Sequence, residues 1–147
     1  MNGAHLHLAL NHLPVIGLLF GLGVLFVGRL IRSDVTMRVA LWLLVASGLF
    51  AIPAYMTGEP AEDIVERLSG ISETLVERHE DAASISLAAA LVSGVMAGAA
   101  LFLARGARAV GRVPFIIVSL AAIVAAGSMA WTAKLGGEIH HPEIRTK

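Results

Sequence analysis

The chain has 147 residues, of which 56% are hydrophobic and 15% charged, and its mean hydropathy is +0.78. Ordinary soluble domains carry about 25% charged residues, so this composition predicts an integral membrane protein. Cysteine is absent, which excludes disulfides, thiolate catalysis, cysteine-ligated iron–sulfur clusters and covalently attached haem. No basic domain, phosphate loop or nucleophile motif is present, so we expect neither nucleic-acid binding nor a recognisable hydrolase.

Four apolar stretches each approach the roughly 20 residues that a helix needs to cross a bilayer. They cover about 13–31, 36–57, 82–104 and 113–135. The sequence therefore predicts an all-α fold, an integral membrane four-helix bundle with a short amphipathic surface helix, in a single domain over 1–147. The predicted helices span about 12–31, 36–57, 73–104 and 113–135, with the surface helix at about 60–69. No basic segment precedes the first apolar run, so we do not expect a cleaved signal peptide.

Charge is divided unevenly among the segments between these helices. The two short turns together carry six arginines and one acid, Asp34, whereas the remaining segments carry five basic and ten acidic residues. The positive-inside rule then predicts that both turns face the cytoplasm and both termini face out. All six histidines fall on the predicted outer side, where the surface is acidic.

The first helix is preceded by the string HLHLALNHLP. Because Pro14 is best tolerated in a first helical turn, we expect the regular helix to start near Asn11. His12 then lies inside the helix, while His5 and His7 belong to a preceding interfacial segment or a distorted extra turn. Three of the glycines of this helix form one face suited to close packing in lipid, namely Gly17, Gly21 and Gly28.

The outer segments also carry helix signals. Pro60, Glu62 and Asp63 suit the first turn of a surface helix, and Ser72 can cap the third long helix. His79 lies about one turn above the hydrocarbon on that third helix, over a stripe of small residues. At the other end of the chain, Gly136 and Gly137 are typical of a helix terminus, after which the tail is expected to fold back.

Ionisable groups gather at the predicted outer mouth of the bundle, where they are expected to face the interior or a wet cavity. The candidate ligands are His12, Glu59, Glu62, His79, Glu80, His140 and His141. Helices one and three are diagonal neighbours in an antiparallel bundle, so we expect His12 and His79 to approach each other across the core.

The first hypothesis is a membrane b-type cytochrome or redox subunit with noncovalent haem b. His12 and His79 would be the axial ligands, with His7 or His141 as substitutes, because haem needs one or two axial ligands and an apolar slot. Glu59, Glu62 and Glu80 would make hydrogen bonds or partner contacts, and the acidic surface would dock a soluble or membrane redox partner. The same features also suit a plainer interpretation, in which small residues pack helices and interfacial histidines lie at the headgroups.

Two further hypotheses stay open. A nonhaem centre holding Zn, Cu, Mn or nonhaem Fe could use these histidines and carboxylates. Alternatively, the protein binds no cofactor and is an assembly or accessory subunit of a membrane complex, whose partners are lipid, a second copy or a larger complex. Nothing ionisable lies deep between the two ends, so a transmembrane ion path is not expected, and enzymatic activity is left open.

Four strings carry a resemblance: LNHLPVIG, TGEPAED, ERHEDAA and LGGEIHHPEI. Together they resemble a group of uncharacterised four-helix bacterial membrane proteins and, more distantly, a domain of unknown function found joined to Rieske-type domains. The resemblance implies membrane redox chemistry at the bacterial inner (cytoplasmic) membrane. The positions that it carries over are His12 with Pro14, Glu59, Glu62, His79, Glu80 and His141.

Overall fold

The computed structural model describes residues 2–65, 67, 71–106 and 108–145. These residues form six α-helices and a closing 3-10 turn, and no strand occurs among them. The helices are α1 (Gly3–Leu10), α2 (His12–Leu30), α3 (Asp34–Met56), α4 (Gly58–Val65), α5 (Glu73–Leu103) and α6 (Arg112–His140), followed by the turn Pro142–Ile144. The predicted all-α fold is confirmed.

Four helical stretches are long and apolar enough to cross a membrane. They are Gly3–Leu30, Asp34–Val65, Glu73–Leu103 and Arg112–His140. Because their outward faces are also apolar, with side chains such as Phe20, Val95 and Val124 at least 64% exposed, these stretches suggest a multi-pass membrane protein.

Some helix boundaries differ from the predicted ones. An extra helix, α1, precedes α2, and Asn11 alone separates the two. α4 begins two residues before the predicted start of the surface helix, while residues 66 and 68–70 of that prediction lie outside the described residues. α6 continues through Gly136 and Gly137 to His140, because glycine permits a helix and here allows a close contact with α5.

The four long helices form an antiparallel bundle. α2 packs along α3, α3 along α5, and α5 along α6, with a lighter contact between α2 and α6. We call one end the histidine end; it comprises α1, α4, the first turns of α5 and the last turns of α6. We call the opposite end the arginine end; it comprises the α2–α3 turn and the α5–α6 loop.

Small residues bring the two halves of the bundle together at the crossing of α3 and α5. A Cβ atom placed on Gly48 would lie 2.9 Å from the Ala90 carbonyl oxygen and 3.3 Å from the Gly94 Cα atom. The backbones themselves therefore form the contact, an arrangement typical of helix pairs in membrane proteins. All three glycines of the predicted α2 face also meet α3, at Ser47, Leu44 and Met37.

The α2–α3 turn at the arginine end has a Schellman pattern with an unusual residue. The amide of Ser33 donates to the Gly28 carbonyl at 2.9 Å, and the amide of Arg32 donates to the Arg29 carbonyl at 3.4 Å. Arg32 has a φ of +56°, a left-handed conformation that glycine adopts freely and that costs other residues about 1–2 kcal/mol. The turn thus accepts strain in order to carry an arginine there.

Two side chains from the start of α3 fix the α5–α6 loop. The Arg38 guanidinium donates to the carbonyl of Ala104 and, at 2.7 Å, to that of Arg108. Asp34 accepts the Val110 amide at 3.1 Å. We call these contacts the arginine clasp; they satisfy backbone groups that the end of α5 and the loop leave without helical partners.

Candidate functional site

His7 turns from α1 toward the bundle, although sequence reasoning made it only a substitute ligand. Its ring is half-buried, and Nδ1 lies 3.1 Å from the Ala54 carbonyl oxygen and 3.3 Å from Thr57 Oγ1. Ala54 belongs to the last turn of α3, whose carbonyls have no partner further along that helix. The end of α3 therefore supplies a fixed acceptor for His7.

His79 makes the corresponding contact on the other side of the bundle. Its half-buried ring places Nδ1 3.0 Å from the Thr132 carbonyl oxygen of α6. A Cβ atom on Gly136 would lie 2.9 Å from Cε1 of this ring, so the absence of a side chain at Gly136 makes room for the imidazole. Gly136, one of the two glycines that were expected to end the helix, instead lies against His79.

Both imidazoles use Nδ1 to donate a hydrogen bond to a backbone carbonyl. A carbonyl oxygen can only accept a hydrogen bond, so Nδ1 of His7 and Nδ1 of His79 each carry the donated proton. In a neutral ring, Nε2 then keeps its lone pair and can bind a metal ion or accept a proton. Both rings lie at the histidine end of the bundle. We call these two residues the His7–His79 pair.

Asn11 adds a polar group that sequence reasoning used only as a helix start. It lies four residues after His7, on the same side of the α1–α2 helical stretch. Its buried Oδ1 atom has no hydrogen-bond partner among the described residues. A buried acceptor without a donor is costly, so this position suits a ligand or water that donates a hydrogen bond.

Hydroxyl groups continue the polar contacts below His79. Ser86 lies two helical turns further along α5 and is 4% exposed. Its Oγ lies 2.9 Å from Thr132 Oγ1, while that hydroxyl donates to the Ser128 carbonyl at 3.1 Å. Thr132 thus meets α5 through its carbonyl and its side chain, which fixes the height of His79 against α6.

His12 does not join the His7–His79 pair in this arrangement. Its ring is exposed, and Nδ1 lies 3.2 Å from the Leu8 carbonyl of the same helical stretch. At 100° per residue, five positions separate His7 and His12 by about 140°, so when one faces the interior the other faces away. The helix α1 decides which of the two histidines turns inward.

The other predicted site residues lie around the rim of the histidine end. Glu59, Glu80 and His140 are exposed, and Glu62 is partly buried. His141 is exposed and places Nδ1 2.9 Å from Glu143 Oε1, just after α6. Within residues 2–65, 67, 71–106 and 108–145, no three histidine or acidic side chains come together as a metal site.

The C-terminal segment folds back onto α6, in the direction expected from the sequence. Arg145 donates through Nε to the Glu138 carbonyl at 2.8 Å and through Nη2 to the Ile139 carbonyl at 3.1 Å. The buried Glu138 carboxylate lies 3.6 Å from Lys134 Nζ, one helical turn earlier. Arg145 therefore satisfies last-turn carbonyls of α6.

Comparison of the chain with known protein families, with curated proteins and with solved structures gives no match.

Proposed function

We propose that the protein is a membrane b-type cytochrome-like redox subunit in which His7 and His79 bind haem iron through Nε2. The observation that carries this proposal is the shared orientation of the two rings. Each Nδ1 proton is directed at a backbone carbonyl of a neighbouring helix, so each Nε2 is left as a donor atom. Such outer contacts fix the tautomer of a ligating histidine and raise its basicity.

The donor set fits haem in number and in type. Haem iron takes its equatorial ligands from the macrocycle and needs only one or two axial ligands from protein, which two imidazoles supply. When bound, the group would exchange one electron between ferric and ferrous iron. The Ala54 and Thr132 carbonyls would keep both rings oriented, and α1 with α4 would limit access of water.

α1 and α4 form a cap over the histidine end, and the weak packing of this cap would allow a flat ligand to enter. Neither the cavity lined by Arg78, Trp131 and Leu135 nor the cavity at the arginine end is lined by His7 or His79. A macrocycle would therefore enter only while this cap is open, and the contact of His7 with Ala54 would re-form when the cap closes. α1 contributes no buried residue and α4 contributes only Ala61, so little packing opposes such a movement. The two helices touch at Gly3, where an added Cβ atom would lie 2.6 Å from the Pro60 Cβ atom.

The kind of membrane and the orientation of the chain are part of the same proposal. We place the chain in a bacterial inner membrane with the histidine end and both termini outside, because arginines dominate the opposite end. The excess of acidic residues at the histidine end would attract a basic redox partner through long-range electrostatic steering. The proposal thus joins an electron-accepting group to the surface where its partner docks.

A reduced-minus-oxidised absorption spectrum of the purified protein, expressed with haem available, tests the proposal. We expect a haem b spectrum that is lost in His7→Ala and in His79→Ala. It should survive in His12→Ala, the matched control, since His12 is a histidine of the same segment that faces away from the pair.

Other outcomes would overturn either the ligand pair or the cytochrome proposal. Loss in His12→Ala with retention in His7→Ala would overturn the ligand pair and restore His12 as the axial ligand. No haem spectrum in the unaltered protein after addition of haem would overturn the cytochrome proposal. Elemental analysis of that preparation would then separate a Zn, Cu or nonhaem Fe centre from a cofactor-free subunit.

A further inference from the structure

The arginine end contains a cavity of about 420 Å³ between the α2–α3 turn and the α5–α6 loop. It is lined by Arg29, Arg32, Asp34, Met37, Ala109 and Val110. Met37 and Val110 are 3% exposed and form its apolar lining, while Arg29 and Arg32 are exposed and supply its positive charge. We call this space the arginine pocket.

The charge of the arginine pocket is not cancelled from within. Asp34 uses one carboxylate oxygen to accept the Val110 amide, and no ion pair joins Arg29 or Arg32 to a carboxylate among the described residues. Arg29 instead lies over the Phe115 ring, 5.5 Å from its centroid, which leaves its hydrogen-bond donors free. Two arginines and one aspartate leave the lining with a net positive charge.

Backbone strain gives a second, independent indication. Arg32 occupies the left-handed position where glycine would close the α2–α3 turn without strain. A residue held in a sparsely populated conformation points to a use for its side chain. The useful property here is a guanidinium that reaches the pocket, since backbone geometry alone favours glycine.

We propose that the arginine pocket binds a phosphate group through Arg29 and Arg32. Guanidinium groups form paired, charge-assisted hydrogen bonds with phosphate oxygens, and basic pockets between membrane helices suit anionic headgroups. The phosphate belongs either to the headgroup of an anionic phospholipid or to free phosphate. The proposal is independent of haem binding, because the pocket lies at the opposite end of the bundle.

Binding of phosphatidylglycerol to the full chain in zwitterionic detergent, followed by native mass spectrometry, tests the pocket. Phosphatidylcholine and inorganic phosphate are the comparison ligands. We expect Arg32→Gly and Arg29→Gln each to weaken phosphatidylglycerol binding about tenfold, the order expected for one charge-assisted contact. Arg105→Gln is the matched control, because Arg105 lies at the same end over the Phe102 ring and outside the pocket lining.

The variant Arg32→Gly separates loss of binding from loss of folding. Glycine relieves the left-handed strain, so this variant should melt no lower than the unaltered protein while it loses the ligand. Competition by inorganic phosphate with the same arginine dependence would identify free phosphate as the source, whereas its failure to compete would identify the lipid. Unchanged binding in Arg32→Gly, or an equal loss in Arg105→Gln, would overturn the pocket.

Discussion

At both ends of the bundle, backbone carbonyls accept hydrogen bonds from side chains. The donor is an arginine at one end and a pair of histidines at the other. At the arginine end Arg38 donates to loop carbonyls, and at the histidine end His7 and His79 donate to carbonyls of α3 and α6. A guanidinium has donors only, so its contacts can hold backbone but leave no lone pair. An imidazole that donates through Nδ1 keeps Nε2. Arg38 therefore only holds the loop in place, whereas His7 and His79 each keep a nitrogen atom that can bind a metal ion.

Removing the fastening residue should have the largest effect. Arg38→Met leaves the carbonyls of Ala104 and Arg108 without their donor, so we expect the free energy of unfolding to fall by about 3 kcal/mol. Unfolding in mixed micelles measures the change. Arg105→Gln, which removes an exposed arginine, should change the free energy little; equal losses in the two variants would contradict a specific clasp.

Crowding the histidine end should have a smaller effect on stability and a specific effect on His79. In Gly136→Ala the new methyl group displaces the imidazole, which weakens its contact with Thr132. We expect its free energy of unfolding to lie about 1–2 kcal/mol below that of Gly127→Ala. Gly127 lies on the same helix with open space around it. Equal stability and an unmoved His79 NMR signal in both variants would contradict the contact.

Relieving strain at the arginine end should act in the opposite direction. We expect Arg32→Gly to raise the free energy of unfolding by about 1 kcal/mol, because glycine adopts the left-handed conformation without a Cβ penalty. The same mixed-micelle unfolding measures it. A clear loss of stability would show that the Arg32 side chain itself supports the turn.

The smallest expected effect concerns the tail at the histidine end. The backbone hydrogen bond of Glu143 and its contact with His141 lower the pKa of the Glu143 carboxyl below its ordinary value. The stabilisation of the tail is therefore present above the ordinary pKa of glutamate and is lost as the pH falls through the lowered value. Hydrogen-exchange protection of residues 143–145, measured against pH, should show this opening, and Glu143→Gln should abolish the pH dependence of that protection. Stronger protection of the tail at lower pH would contradict the predicted direction of this effect.

Helix content and helix length could be predicted because they depend on local composition. Four long apolar runs can be recognised without knowing which distant residues they contact. The predicted all-α fold is confirmed, with four helices long and apolar enough to cross a membrane. The direction of a single side chain is different. His7 and His12 differ by about 140° on a helix, so choosing between them required knowing that α1 is helical and packs on α4.

A second difference between prediction and structure comes from sequence patterns that fit two structural interpretations. The pair Gly136 and Gly137 suits a helix end, yet the absence of a side chain at Gly136 lets α6 pass close to His79. Only the residue that packs against Gly136, which is His79, decides between the two interpretations. The arginine clasp likewise joins residues 66 to 76 positions apart, a distance over which sequence spacing carries no information.

The arginine clasp also orders the assembly of the bundle in time. Arg38 and Asp34 belong to the first helical hairpin, which leaves the ribosome well before its partners Arg108 and Val110. Because domains fold as the chain is synthesised from its N-terminal part, the first hairpin is present as a template when the second turn emerges. The clasp can close only after α5 lies beside α3, so these contacts form late, once both the first hairpin and the second turn have been synthesised.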